Sequence, residues 1–332
     1  MNRLYTIMCT VCCMLLCACV DDKEMPDTPQ GNFEALWKIM DEHYCFFDAK
    51  GVNWDKIHDK YRVQISSMMT DDQLFEVFGN MIGELKDGHT NLSSASDYAR
   101  YWNWHEDYPR NFSDTLQRIY MGNDYKIAAG MYYRILDDNI GYIYYGSFEN
   151  GIGDGNLDEI LQYLMLCNGL IIDVRNNGGG NLTNAAKIAA RFTDEERKVG
   201  YIRHKTGMGH NDFSDYEEQT VGPAKGLRWH KKVAVLTNRS VFSAANEFVK
   251  YMKQMPTATI IGDRTGGGAG LPLNASLPNG WRVRFSACPM YDAEKNCTED
   301  GIEPDIKVSI SDRDFLKGRD TIIEAARQFL SE

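Results

Sequence analysis

Apolar residues recur at helical spacing in the first part of the chain and gather into short continuous runs in the second part. The helical spacing begins at Asn32 and predicts three helices, starting near Asn32, Trp54 and Thr70. Thr70 and Gln73 have the spacing of a capping box, which fixes the start of the third helix. The three apolar faces can bury one another, so residues 32–91 are predicted to form a small helical N-terminal subdomain.

Strand and helix signals alternate in residues 140–332. Apolar runs bounded by turn residues predict buried strands at 170–174 and 233–237. The spacing of turn residues predicts an antiparallel hairpin over 271–290. We therefore expect an α/β core with a mixed, mainly parallel sheet and right-handed crossovers. Residues 92–139 are rich in aromatic side chains and show little period, which predicts an irregular segment.

The N-terminus has the pattern of an export signal. After Arg3 the chain is almost uncharged and mostly apolar as far as Val20, which is short for a membrane span but typical of a signal peptide. The run ends at Cys19 after a small residue and resembles a bacterial lipobox, in which the cysteine is lipidated and becomes the mature N-terminus. We expect residues 1–18 to be a lipoprotein signal peptide and residues 19–31 a tether.

The lipid would hold the domain at the outer membrane, facing the periplasm or the cell surface. The acidic residues that follow Cys19 resemble the export segment of surface lipoproteins in Bacteroidetes. Cleavage as an ordinary signal peptide near Ala18 is the alternative.

Composition excludes several classes of protein. The chain has 332 residues, of which 43% are hydrophobic and 25% charged, as in an ordinary globular protein of one large or two smaller domains. Its net charge of −11 argues against a nucleic-acid partner, since phosphates are met by a basic face. Five of the nine cysteines lie in the export signal, and the other four form no Cys-x-x-Cys pair that would suggest a zinc site. Cys288 and Cys297 could form a disulfide in an oxidising compartment or remain buried thiols.

Three segments carry candidate chemistry. Ser243 follows a buried strand and begins a predicted helix, where backbone N–H groups are unpaired and electropositive. Together with the N–H groups of Gly178–Gly180, these could hold an oxyanion, because glycine leaves the backbone accessible. His89 lies in a Gly-His turn and could act as a general base for Ser243. Taken separately, Ser243 could be only a helix cap, His89 a loop histidine and the glycines a turn.

Four segments in order resemble the S41 peptidase family, which includes the C-terminal processing proteases and the tricorn protease core. The resemblance covers residues 32–308. Its segments are LKDGHTNL around His89, GLIIDVRNNGGG before Asn181, LTNRSVFSAANEF around Ser243, and GIEPDIKV at the end.

The resemblance implies a ClpP/crotonase-like α/β core and a serine nucleophile at Ser243. It implies that the N–H groups of Ser243 and Gly179 hold the oxyanion, with Gly178 and Ala244 as further candidates. His89 would be the base. Glu299 would orient or polarise His89, and Asp300 and Glu247 are alternatives for that role.

The chain also departs from parts of the family pattern. Residues 262–270 contain no lysine, so the Ser/Lys dyad of the tail-specific branch is not expected. The tricorn-like branch has a serine where Gly88 stands here. Residues 92–139 are too few for the PDZ domain that many members carry, so we expect none. The aromatic residues in 98–108 could line a substrate groove or cover the core.

These observations predict an exported serine endopeptidase that acts on peptide or protein substrates and uses no metal or organic cofactor. The alternative is a non-catalytic ligand- or peptide-binding lipoprotein on the same scaffold, as in the retinoid-binding repeats that resemble this fold. A crotonase-type acyl-CoA enzyme would use similar oxyanion glycines, but the export signal disfavours it. Oligomeric state and cleavage preference are left open.

Overall fold

The computed structural model describes residues 25–103 and 106–332. The predicted signal peptide 1–18, the lipidation candidate Cys19 and most of the predicted tether lie outside the described residues. No helix within the described ranges is both long enough and apolar enough to span a bilayer.

The described residues contain ten α-helices and thirteen strands. The helices are α1 (Pro29–His43), α2 (Phe47–Lys50), α3 (Trp54–Arg62), α4 (Asp71–Gly83), α5 (Asp114–Met121), α6 (Asp154–Leu164), α7 (Leu182–Ala189), α8 (Ala244–Met252), α9 (Asp312–Phe315) and α10 (Thr321–Ser331). The strands are β1 (Asn91–Ser93), β2 (Tyr98–Arg100), β3 (Lys126–Ala128), β4 (Met131–Ile135), β5 (Gly141–Tyr145), β6 (Leu170–Asp173), β7 (Arg197–Ile202), β8 (Glu217–Val221), β9 (Val233–Thr237), β10 (Ala258–Gly262), β11 (Gly270–Ser276), β12 (Arg282–Tyr291) and β13 (Ile306–Lys307).

A seven-stranded, mainly parallel sheet forms the centre of the molecule, as the sequence predicts. Its strand order is β13-β10-β9-β6-β5-β4-β3. The strands from β13 to β5 are parallel, and β4 and β3 continue the sheet in antiparallel fashion. Every residue of β6 and β9 is buried, because helices cover both faces of the sheet.

The two faces of this sheet have separate apolar cores. Helices α6, α7 and α8 pack on one face, where Leu157, Ile188 and Phe248 meet side chains of β6 and β9. Helix α10 packs on the other face through Ile322 and neighbouring residues. The result is a three-layer arrangement in which the carboxyl ends of β6 and β9 lie side by side.

A second, antiparallel sheet carries the N-terminal helices, and the sequence predicts only its β11–β12 hairpin. The strand order is β2-β1-β12-β7-β8, with β11 also paired to β12. Helices α1–α4 share one apolar core with β12, in which Phe78 and Met81 lie with Val283 and Phe285. The predicted helical subdomain 32–91 is therefore not a separate unit, because its apolar faces are completed by a strand from the far end of the chain.

Several predicted boundaries are wrong. Helix α1 begins at Pro29, inside the predicted tether, because the Thr28 side chain accepts a hydrogen bond from the Gly31 N–H and caps the helix. The predicted irregular segment 92–139 contains α5 and four strands, two in each sheet. The central sheet consequently begins before residue 140, with the antiparallel strands β3 and β4. The capping box of Thr70 and Gln73 at the start of α4 is confirmed.

The four cysteines in the described part of the chain are free thiols. Cys288 is buried, whereas Cys297 is exposed, so the prediction of two buried thiols holds only for Cys288. The structure has no bond between them.

Candidate active site

Ser243 lies between β9 and α8 in a backbone conformation that few residues adopt. Its φ is 57° and its ψ is −125°, a left-handed region normally occupied by glycine. Its side chain makes no helix-capping hydrogen bond, so the interpretation of Ser243 as a simple cap is wrong. The Ser243 N–H donates to the Gly267 carbonyl at 2.9 Å, which helps to hold this conformation.

Gly179 makes close approach to Ser243 possible. Its φ is 101°, and a Cβ added there would lie 2.8 Å from the Ser243 Cβ and 2.7 Å from the Phe242 carbonyl oxygen. Any larger residue would therefore push the glycine loop away from the serine. The glycine loop after β6 and the serine loop after β9 meet at the carboxyl edge of the sheet, where sites form in open α/β folds.

His89 reaches Ser243 from the antiparallel part of the molecule. The His89 Nε2 and Ser243 Oγ atoms are 2.9 Å apart, although the two residues are separated by 154 positions in the chain. His89 follows α4 in a tight turn, in which the Asp87 carboxylate accepts a hydrogen bond from the His89 backbone N–H at 2.7 Å. The Thr90 hydroxyl donates to the other Asp87 oxygen at 3.1 Å. The turn thus fixes the position of the imidazole.

The imidazole of His89 is neutral at ordinary pH. Burial lowers its pKa to about 4, and the positive charges of Arg284, Arg100 and Lys50 act in the same direction, while Asp87 opposes them. A neutral imidazole can accept the serine proton through Nε2, which places the ring proton on Nδ1. The buried Nδ1 atom has no hydrogen-bond partner among the described residues.

None of the three carboxylates predicted to support His89 forms a hydrogen bond with it in the described chain. Glu299 instead accepts a hydrogen bond from the Ala269 N–H at 2.8 Å and pairs with the Lys50 ammonium at 3.1 Å. Glu247 pairs with Lys250 at 2.6 Å, and Asp300 is exposed. Burial and the negative charge of Asp87 raise the pKa of Glu299 to about 8, against the opposing charge of Lys50.

Asp87 and Lys50 are the neighbours of the site that sequence reasoning missed. Burial alone would raise the pKa of the Asp87 carboxyl, but Lys50, His89 and the His89 N–H outweigh burial and lower it. Asp87 is therefore a buried anion beside the imidazole. An aspartate two residues before a histidine in an Asp-Gly-His turn is a local signal for this contact, because Asp accepts hydrogen bonds from the backbone two residues on. No local pattern indicates Lys50.

The backbone N–H groups near Ser243 differ in whether they are free. The Ser243 N–H is bonded to Gly267, and the Gly179 N–H donates to the Asn177 side chain at 2.9 Å. No acceptor in the described chain takes the N–H of Gly178, Gly180 or Ala244. These three groups, in the glycine loop or directly after Ser243, are available to another acceptor.

An open cavity of about 490 Å³ gives access to Ser243 and His89. Its lining includes Gly178, Gly180, Phe242 and Tyr98. Tyr98 and Arg100, from the aromatic-rich segment 98–108, are among its lining residues. Within the described ranges, no group of three or more His, Cys, Asp and Glu side chains is arranged to hold a metal ion.

Two family models match the chain, and one of them covers Ser243 and the glycine loop, whereas His89 lies between the two matched ranges. Residues 139–308, just over half of the chain, match the model of peptidase family S41, and residues 25–83 match the model of the tricorn protease C1 domain. A candidate peptidase from Parabacteroides merdae ATCC 43184, whose crystal structure is known, is 52% identical. The superposition covers 92% of this chain and 97% of that one, with a TM-score of 0.88.

Curated relatives are more distant. The carboxy-terminal processing protease CtpA of Bacillus subtilis is 23% identical over 184 residues, which are 55% of this chain and 38% of that protein. The tricorn protease of Thermoplasma acidophilum is 28% identical over 167 residues, which are 49% of this chain and 14% of that protein. The chain thus spans less than two fifths of the length of either relative. From the S41 model and the extent of the match to the Parabacteroides structure, the chain belongs to peptidase family S41.

Proposed function

We propose that this protein is a serine endopeptidase in which Ser243 is the nucleophile and His89 the general base. The observation that carries the proposal is the 2.9 Å contact between Ser243 Oγ and the Nε2 of a buried, neutral imidazole, at the mouth of an open cavity. Membership of a peptidase family supports peptide bonds as the substrate.

In the proposed reaction, Ser243 Oγ attacks the carbonyl carbon of the scissile bond while its proton passes to His89 Nε2. The tetrahedral intermediate collapses when the imidazolium returns that proton to the leaving amine, and the C–N bond breaks. A water then attacks the acyl-enzyme, gives its proton to His89 and releases the second product, after which the proton returns to Ser243.

Backbone N–H groups would hold the negative charge that develops on the carbonyl oxygen. We infer that Gly178 and Ala244 supply them, because neither N–H has an acceptor in the described chain, Gly178 precedes Gly179, and the Ala244 nitrogen lies beside Gly179 directly after Ser243. The predicted donors Ser243 and Gly179 would first have to leave their present acceptors.

Asp87 is the group best placed to stabilise the imidazolium that forms on His89. It is a buried carboxylate in the same turn, and its charge favours protonation of His89. Glu299 would act at one remove, through Lys50 and the Ala269 backbone. We therefore expect Asp87→Asn to lower the turnover rate by about 100-fold or more, and Glu299→Gln to lower it less. Steady-state hydrolysis of one peptide by the two isosteric variants measures the difference, and a larger loss in Glu299→Gln would restore the predicted role of Glu299.

We also propose that the protein has a ClpP/crotonase-like core and is anchored to a bacterial membrane by a lipid. The central parallel sheet with helices on both faces supports a ClpP/crotonase-like core, in which the two loops of the site follow adjacent strands. The lipobox-like pattern supports attachment of Cys19 to a lipid and display from a bacterial membrane. Incorporation of labelled palmitate into the full chain, compared with a Cys19→Ala variant, tests the lipid anchor.

A fluorophosphonate probe tests the central proposal, because it reacts with an activated serine and needs no knowledge of the substrate. We expect the domain from residue 25 onward to be labelled at Ser243, and Ser243→Ala and His89→Ala to remain unlabelled. An unlabelled wild-type protein with a normal circular dichroism spectrum would favour the alternative, a non-catalytic binding module.

A further inference from the structure

The cavity beside Ser243 is strongly basic, although the chain as a whole has a net charge of −11. Three arginines line it, Arg100, Arg282 and Arg284, and Glu149 is the one acidic side chain in its lining. A surplus of cations in the reactive cavity of an acidic protein requires an explanation from the ligand rather than from the overall composition.

The register of the antiparallel sheet places these arginines on the cavity side. Arg284 is paired with Asn91 and Asn91 with Arg100, so all three lie in one row across β12, β1 and β2. Arg282 lies in the next row on the same face, because side chains two residues apart on a strand point the same way. The opposite face carries buried residues that pack against the N-terminal helices, among them Leu92 and Val283.

The arginines are not neutralised within the protein. None of the three forms an ion pair with a carboxylate in the part of the chain that the structure describes. Arg100 is partly buried, its guanidinium lies 5.0 Å from the Trp102 ring and 5.8 Å from the Phe242 ring, and its Nε has no hydrogen-bond partner among the described residues. Arg282 and Arg284 are exposed to the cavity. The guanidinium groups of Arg282 and Arg284 are thus free to bind an anion, whereas the Arg100 side chain also makes a hydrogen bond with Tyr98.

The spacing of the charges favours acidic side chains over a single terminal carboxylate. Arg282 and Arg284 lie on alternate positions of one strand, roughly 7 Å apart along the chain. Alternate side chains of an extended peptide repeat at the same distance. Each guanidinium can take a carboxylate through two parallel hydrogen bonds, a geometry that amides and alcohols do not reproduce.

We propose that the Ser243 site selects peptides that carry aspartate or glutamate side chains close to the scissile bond, with Arg282 and Arg284 as the specificity-determining residues and Arg100 as a supporting charge. This inference rests on the proposed peptidase function and adds the substrate class to it.

A set of internally quenched peptides tests the proposal. One neutral sequence, blocked at both ends, carries Glu or its isostere Gln at each position from three before to three after the cleaved bond, singly or as pairs two residues apart. A second series has the neutral sequence with a free C-terminal carboxylate. We expect the best Glu peptide to exceed its Gln partner in kcat/KM by at least about ten-fold, and the ratio to fall as salt is raised.

Substitutions of the cavity arginines test which of them sets the preference for Glu over Gln. The ratio of kcat/KM for the Glu and Gln peptides, measured on the same variant, should fall at least several-fold in Arg284→Gln and Arg282→Gln and approach one in the double variant. Arg284→Glu should invert the preference toward a lysine-containing peptide. Arg313→Gln removes an exposed arginine on α9, outside the cavity, and should leave the ratio unchanged.

Different results would contradict the peptidase function and the preference for acidic side chains. No cleavage of any peptide and no fluorophosphonate labelling would overturn the peptidase function and this inference together. Labelling and cleavage with equal rates for Glu and Gln peptides, or a preference set only by the free C-terminus, would overturn the inference alone. Tighter binding of the Glu peptide than the Gln peptide by Ser243→Ala, measured by fluorescence anisotropy, would support it independently of turnover.

Discussion

At the scale of single residues, the backbone of Ser243 is under a strain that can be measured without any substrate. A non-glycine residue at positive φ costs about 1–3 kcal/mol, whereas glycine adopts this region freely. Ser243→Ala and Ser243→Gly lose the same hydroxyl and the same contact with His89 and differ in how well they tolerate this conformation. We expect Ser243→Gly to have the larger free energy of unfolding, by about 1 kcal/mol, in urea denaturation. Equal stability of the two variants would show that the conformation is not strained.

His89 gives the site an unusual pH dependence. Only the neutral imidazole can accept the serine proton, and its pKa is lowered to about 4. The rate of fluorophosphonate labelling should therefore rise with pH around 4 and be flat from about 5.5 to 7, instead of rising around the ordinary histidine value near 6.5. A midpoint near 6.5 would contradict the burial of the ring.

The same shift makes stability depend on pH. In the unfolded chain the imidazole takes up its proton near pH 6.5, and in the folded protein only near pH 4. The contribution of His89 to the free energy of unfolding therefore falls as the pH is lowered from about 6.5 to about 4. Above pH 6.5 this contribution does not increase further. Relative to His89→Gln, the wild-type protein should lose about 3 kcal/mol of unfolding free energy between pH 7 and 4, since each pKa unit corresponds to about 1.4 kcal/mol.

The contact between Ser243 and His89 agrees with the pairing predicted from the sequence, but the nearby Lys50 could not be predicted. Ser243 and His89 each lie in a recognisable segment, and the strand before Ser243 is a plain apolar run. Lys50 is one of many lysines in a sequence with no pattern around it. The Lys50–Glu299 contact joins positions far apart in the chain, so only the folded packing reveals it.

At the scale of elements, the short helix α2 is connected to the site by one buried charge. Lys50 at its C-terminal end pairs with Glu299 and donates to the Lys86 carbonyl at 3.4 Å. At pH 9, above the Glu299 pKa of about 8, Lys50→Met would leave the buried carboxylates of Asp87 and Glu299 without their cation, at a cost of about 3 kcal/mol of unfolding free energy. The double variant Lys50→Met, Glu299→Gln should recover part of this loss at pH 9, because one of the two buried charges is then absent. Chemical denaturation of the wild-type protein and the two variants at pH 9 checks this, and a double variant no more stable than Lys50→Met would contradict it.

Elements with long apolar runs could be predicted, and short ones could not. β6 and β9 are continuous buried runs, so their sequence alone identifies them. β1 and β2 have three residues each, too few to show a period, and β2 begins with the exposed Tyr98. The pairing of β1 with β12 joins positions nearly 200 residues apart, which local patterns do not contain, and β2 joins the sheet through β1.

At the scale of the whole molecule, the candidate site lies where the two sheets meet. The parallel sheet supplies Ser243 and the glycine loop, and the N-terminal helices with the antiparallel sheet supply His89 and the arginines. Neither half contains a complete site. The proposed chemistry therefore depends on how firmly the loops at the carboxyl edge of the parallel sheet are held.

Arg175, three residues before the glycine loop, holds this region of the chain through buried ion pairs. Its guanidinium is fully buried and donates two hydrogen bonds to Asp173, at 2.7 and 2.9 Å. It also pairs with Asp320, at the start of α10, over 2.9 Å. Both carboxylates are fully buried as well. Arg191 offers a matched control. It is equally buried and also pairs with two aspartates, but Asp154 and Asp158 are 78% and 38% exposed.

Removing each arginine should therefore have different consequences. Arg175→Met leaves two buried carboxylates without a positively charged partner and without access to water, and should cost about 3–5 kcal/mol of unfolding free energy. Arg191→Met leaves carboxylates that water can solvate, and should cost about 1–2 kcal/mol. Urea denaturation followed by circular dichroism measures both, and equal losses would mean that burial of the partner carboxylates does not set the cost. Arg175 lies only three residues before Gly178. Under conditions where both variants are folded, Arg175→Met should therefore also slow fluorophosphonate labelling, and Arg191→Met should not.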